Sequence, residues 1–145
     1  MFGPSGHAYV YFTYGMHYCL NVVCGPPGEA AAVLLRAGEV VDGQDAAYAR
    51  RPGVPDRDLA RGPARLTRTL ALDRAVDATP MLTGAGPTHL VPGTSVPRDA
   101  IRVGPRVGVT GGATTAWRYW LVGPDGVPEP TVSAYRPRAP RRARR

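Results

Sequence analysis

At 145 residues the chain has length for one domain and not for two full cores, and its 43% apolar fraction is enough for an ordinary globular interior. The formal charge of +7 is unevenly placed: residues 134–145, AYRPRAPRRARR, hold six arginines and no acid, which leaves twelve arginines against eleven acids over 1–133, a net of +1. No apolar run approaches the ~20 residues of a membrane span and the N-terminus lacks the pattern of a signal peptide, so a soluble, cytoplasmic protein with no membrane partner is expected.

Residues 1–6 (MFGPSG) read as a loop. From His7 to Cys24 the chain is crowded with Val, Tyr, Phe, Thr and Cys and holds no Pro, so it reads as strand. Gly15 divides it. The pattern predicts a hairpin with strands over 8–13 and 17–24 and a tight turn in which Gly15 takes a positive φ. Alternation then puts Ala8, Val10 and Phe12 on a core face and Tyr9, Tyr11 and Thr13 on the other. Tyr9 and Tyr18 are expected to be buried. Tyr14, beside the turn glycine, is expected at the surface as a flat, stiff side chain, the shape of a wedge that enters a base stack; on bare sequence an ordinary exposed tyrosine is the commoner reading. Cys19 and Cys24 have no zinc spacing and are expected as buried, reduced thiols.

A turn at 25–29 precedes a further strand over 30–36. Gln44–Arg51 and Asp56–Leu72 read as helical, the second interrupted at Gly62 and restarting at Pro63, where Pro is tolerated in a first turn. Leu66 and Leu70 then share a helical face and are expected in the core. Residues 73–98 are a loop-rich connection, followed by strands over 101–109 and 116–122. The order implies an α+β fold, a mixed and mainly antiparallel sheet with a protruding β-hairpin and flanking helices. Residues 134–145 read as a disordered Arg-rich tail behind a domain over 1–133. Such a tail could add salt-sensitive affinity for a polyanion. Every basic residue is Arg, but a GC-rich genome gives the same bias, so this alone is not read as phosphate binding.

The other constellations are weak. His7, His17 and His89 have no metal-ligand spacing, and Gly111-Gly112 lacks the strand–helix setting of a phosphate loop. Glu29, Glu39 and Glu129 are scattered at turns or strand ends. Composition and spacing name no catalytic residue.

A series of ordered stretches nevertheless resembles one family. GHAYVYFTYGMHYCLNVV followed by AVLLRAGEVVDG, then RGPARLTRTLAL, RVGV, AWRYWLVG and finally PTVSAYR are similar to the core of the alkyladenine (3-methyladenine) DNA glycosylases, covering nearly all of the chain before the tail. The resemblance implies a formyltransferase C-terminal-domain-like fold, here incomplete, and a monomeric enzyme without metal or cofactor. Such an enzyme serves base-excision repair at the nucleoid: it binds double-stranded DNA, flips an alkylated or etheno purine out of the helix and hydrolyses its N-glycosidic bond. It also implies roles by position. Tyr14 is the DNA-intercalating residue. Met16 and His17 contact the minor groove, although His17 stands where an aromatic is more usual. Tyr11 stacks on the flipped base, Asn21 limits entry of purines with an exocyclic amino group, and Arg36 lines the base pocket.

The general-base glutamate, the second aromatic of the base sandwich and the pocket histidine lie upstream of the hairpin in the family. No residue of this chain matches them, so a truncated member is expected, with poor stability on its own. The alternatives are a non-catalytic DNA-binding fragment and a small β-rich module that binds RNA or protein.

Overall fold

A computed structural model describes residues 1–109, 111–112 and 114–123. Glu129, the PTVSAYR segment and the Arg-rich tail lie outside the described residues. Two compact units are formed, Met1–Thr94 and Ser95–Arg145.

The first unit is a three-stranded antiparallel sheet, β1 (Ala8–Thr13), β2 (His17–Val23) and β3 (Ala32–Leu34) in that spatial order, with helices α1 (Gln44–Arg50), α2 (Asp56–Leu59) and α3 (Pro63–Thr69). The register runs Ala8 with Val22, Val10 with Leu20 and Tyr11 with Cys19. Cross-strand partners share a face, so Ala8, Val10 and Leu20 lie together. They form the core with Leu72, Val76 and Met81, and Tyr18, Val22 and Leu35 pack against it. Fully burying one such side chain contributes roughly 1.5–3 kcal/mol. Thr67 fastens α3 to this face, its Oγ1 donating to the Tyr18 carbonyl at 2.9 Å.

The free edge of β1 is closed by the segment after α3. The Asp77 carboxylate accepts the Val10 N–H at 2.8 Å, the Ala8 N–H reaches the Thr79 carbonyl, and the Met81 N–H reaches the Gly6 carbonyl. The loop-rich connection therefore supplies both an edge cover and two core residues, Val76 and Met81. It also contains a short 3-10 turn at Arg74–Val76.

The second unit holds a 3-10 turn at Arg98–Ala100 and a separate two-stranded antiparallel ribbon, β4 (Ile101–Gly104) and β5 (Arg118–Leu121). The fold is thus α+β with antiparallel pairing throughout the described strands, divided into two sheets where the sequence suggested one.

Five residues depart from expectation. Leu70 is 46% exposed, because α3 ends at Thr69 and Ala71 turns the chain at φ 54 before Leu72 enters the core. Phe12 is half exposed: it lies near the hairpin tip, beyond the reach of the core, and packs its ring 4.9 Å from that of Tyr18. Cys24 is exposed, since β2 ends at Val23, whereas Cys19 is buried and both thiols are free. Tyr9 and Tyr18 are partly rather than fully buried.

Candidate functional site

The tip of the β1–β2 hairpin is held by two successive residues with positive φ, Tyr14 at 53 and Gly15 at 65, with the Met16 N–H donating to the Thr13 carbonyl at 3.2 Å. An added Cβ on Gly15 would meet nothing within 4 Å, so glycine is required there by the backbone and not by space. Tyr14 is the unusual member, because a bulky side chain at positive φ is strained by about 1–3 kcal/mol. Its ring is 81% exposed, and Met16 and His17 beside it are exposed as well. A large aromatic is thus held at a tip by a strained backbone, its surface largely uncovered by the described residues.

Behind the tip, the register settles which side chains share the second face. Tyr9 pairs with Asn21, Tyr11 with Cys19, and Asn21 in turn with Leu34 of β3. The Tyr9 and Tyr11 rings lie 5.7 Å apart at 31°, forming an aromatic shelf. Asn21 is buried, its Nδ2 donating to the Tyr9 carbonyl at 3.1 Å, and no other partner of its amide is found among the described residues. That bond fixes the orientation of the side-chain amide on this face. Burial, followed by the neighbouring Cys19 thiol, pushes the Tyr11 hydroxyl up to about 12, so this ring stays neutral at any physiological pH.

Arg36 lies two residues past the end of β3. Leu35 packs against the core, so by alternation Arg36 continues the face of Leu34 and Asn21. Its carbonyl accepts the Gly62 N–H at 2.9 Å, and Ala37 bridges to Arg61, so the start of α3 anchors the backbone at this point.

The structure therefore sets Tyr11 and Asn21 side by side on one face, extends that face toward Arg36, and puts Tyr14, Met16 and His17 at the tip. Three residues of extended chain separate Tyr11 from Tyr14, about 10 Å. Cys19, expected from the sequence only as a buried thiol, sits directly opposite Tyr11. The signal for it was present: Gly15 is the centre of the hairpin, so partner numbers sum to 30 throughout the register.

Among the described residues, no group of three or more His, Cys, Asp or Glu side chains could hold a metal, and no helix is long and apolar enough to cross a membrane. The geometry offers a stacking surface, a polar probe and a protruding ring, which together suit a planar, hydrogen-bonding ligand presented from a stack.

Comparison with known proteins gives the same direction. Methylpurine-DNA glycosylase (MPG) is the family matched, over residues 1–125. A protein of Streptomyces avermitilis is 53% identical, the match covering 99% of this chain and 67% of that protein. A Frankia casuarinae protein is 49% identical over 99% of this chain and 69% of its own length. One from Nocardia farcinica is 49% identical over 97% and 65%. All three are provisionally named 3-methyladenine DNA glycosylases. The chain spans about two thirds of the length of these relatives.

Proposed function

Because the chain belongs to the methylpurine-DNA glycosylase family, whose members are DNA-repair hydrolases of the N-glycosidic bond, we propose that residues 1–145 carry the damage-recognition half of that reaction. Tyr14 is the wedge: it enters the minor groove of duplex DNA at the nucleoid and fills the space left when an alkylated or etheno purine is flipped out. The flipped base stacks on Tyr11, Asn21 tests its edge for an exocyclic amino group, and Arg36 helps to hold the nucleotide. Met16 and His17 flank the wedge in the groove.

The observation that carries this reading is the tip itself, where an 81% exposed tyrosine is held at positive φ directly beyond a shelf of Tyr11 and Asn21. The energetics are balanced. Unstacking a damaged base costs a few kcal/mol, and an aromatic stacking partner returns roughly 1–3 kcal/mol per base. A wedge and a shelf together make flipping favourable for a weakened pair and unfavourable for an intact one. We assign the hydrolytic half to the family's general-base glutamate, which matches no residue of this chain.

Binding to a duplex with a single ethenoadenine, compared with the undamaged duplex, tests the proposal. The wild-type chain is expected to prefer the lesion, and Tyr14→Ala to erase most of that preference. Equal affinity for both duplexes, unchanged by Tyr14→Ala, would remove the wedge reading. Base release measured on the same substrate is expected to be absent, and measurable release would place the general base among these residues.

A further inference from the structure

On the side of the hairpin away from Tyr11 and Asn21, the tip does not lie flat on the helices. A groove of about 300 Å³ separates Met16, His17 and Tyr18 of the hairpin from Ala64, Thr67 and Arg68 of α3. That volume equals roughly ten waters at their share of the liquid. The groove has a fixed shape, since the Thr67–Tyr18 hydrogen bond ties its two walls together at the base. None of its lining residues is acidic.

Its cation is Arg68, which is exposed and has no acidic partner among the described residues. The neighbouring acid, Asp58, is already committed to Arg61 at 2.9 Å and Arg65 at 3.6 Å. Arg51 is held by the carbonyls of Asp58 and Leu59. It is close enough to Arg65 and Arg68 that, after desolvation, these two like charges hold its guanidinium below the usual range. Two arginines thus share one carboxylate, and Arg51 and Arg68 add positive charge beside them, a cationic surface that gains from an anion.

We propose that this groove seats a backbone phosphate of the DNA strand flanking the wedge, with Arg68 as its counter-charge. The inference rests on the wedge reading of Tyr14. A ring inserted into a base stack brings the residues beside its turn against the sugar–phosphate chain, and the groove begins at Met16, two residues from Tyr14. One side of the hairpin then handles the base and the other the backbone. Contacts of this kind set register and carry no sequence information.

The test uses the full chain, the damaged and undamaged duplexes, and a series of salt concentrations. Arg68→Ala should weaken binding to both duplexes by the same factor, about three- to tenfold, and flatten the slope of log K against log salt by about 0.9 for the one lost phosphate contact. Arg68→Lys, which keeps the charge, should retain the slope and shows that any loss is not one of folding. Tyr14→Ala should do the opposite, lowering lesion preference while leaving the salt slope intact. Unchanged affinity and slope in Arg68→Ala, with Tyr14→Ala still erasing lesion preference, would overturn the groove and spare the wedge. Silence of both variants would overturn the two together. A loss confined to the damaged duplex in Arg68→Ala would also overturn the proposal, because it would mean that Arg68 senses the base.

Discussion

The ribbons β1–β2 and β4–β5 are both antiparallel and both alternate, yet Ala8, Val10 and Leu20 of the first are almost fully buried, while Ile101, Val103, Tyr119 and Leu121 of the second each keep a third or more of their surface exposed. The first ribbon has a third strand on one edge, the Asp77–Met81 segment on the other, and α3 laid across one face. The second has two strands. Its polar face is ordered locally, with the Arg118 guanidinium 4.3 Å over the Trp120 ring and Gly104 so close beneath that ring that a Cβ would meet it at 3.1 Å. Period-two alternation therefore states which face could be buried and not whether anything buries it. A ribbon needs a third strand or a helix before its apolar face becomes a core.

Truncating each ribbon is the most direct way to break this contrast. Leu20→Ala should cost about 2–5 kcal/mol, read as a lowered midpoint in chemical denaturation with loss of the whole first unit. The turn comes next. Gly15→Ala, at a positive φ with open space around it, should cost about 1–2 kcal/mol, whereas Tyr14→Gly should stabilise by about 0.5–1 kcal/mol because it removes a strained side chain. A higher melting temperature for Tyr14→Gly, together with loss of lesion preference, would show that the strain is retained for function. If Tyr14→Gly lowered stability, the tyrosine would be packing on its own chain, and the tip would resemble the core more than an interface.

Alkaline pH offers a subtler probe of the shelf. Tyr11 ionises near 12 in the folded chain against 10.0 for a free tyrosine. A raised pKa in an acid that charges on losing its proton means that the folded state holds the proton longer. Its contribution to stability is complete below pH 10 and is lost as pH rises from 10 to about 12. In Tyr11→Phe that part of the alkaline decline should disappear, together with the latest component of the tyrosinate absorbance titration. The smallest effect is expected in the second ribbon, where Val103→Ala should stay within about 0.5 kcal/mol. A cost approaching that of Leu20→Ala would mean that the exposed face is covered in the working protein, and the contrast between ribbons would collapse.

Much of the first unit was legible because its determinants are local. Gly15 between two β-rich runs gave the hairpin and its register, and Pro63 behind Gly62 gave the start of α3. The exposure of Tyr14 and the shared face of Tyr11 and Asn21 follow from that hairpin, whereas the roles proposed for them come from the family resemblance alone. What could not be read depends on distant partners. The Val10 N–H finds Asp77 sixty-seven residues away, so the closure of the β1 edge has no local sign. Leu70 fits the helical period of Leu66, but Ala71 at positive φ ends that period one residue earlier. Phe12 obeys the alternation of its strand and still escapes the core, its ring packed against that of Tyr18. The convergence of Arg51, Arg65 and Arg68 needs two helices to meet, which no periodicity within either one reveals.

The constant sum of 30 across the β1–β2 register constrains how this hairpin can change over generations. A single residue inserted between Tyr11 and Tyr14 would exchange the two faces, sending Tyr11 toward Leu72 and Met81 and bringing Val10 onto the shelf. A substitution alters one position, whereas a change of length moves every position beyond it to the other face. The hairpin acts as a ruler whose graduations are the pleat, and lineages that keep the wedge must keep its distance to the shelf.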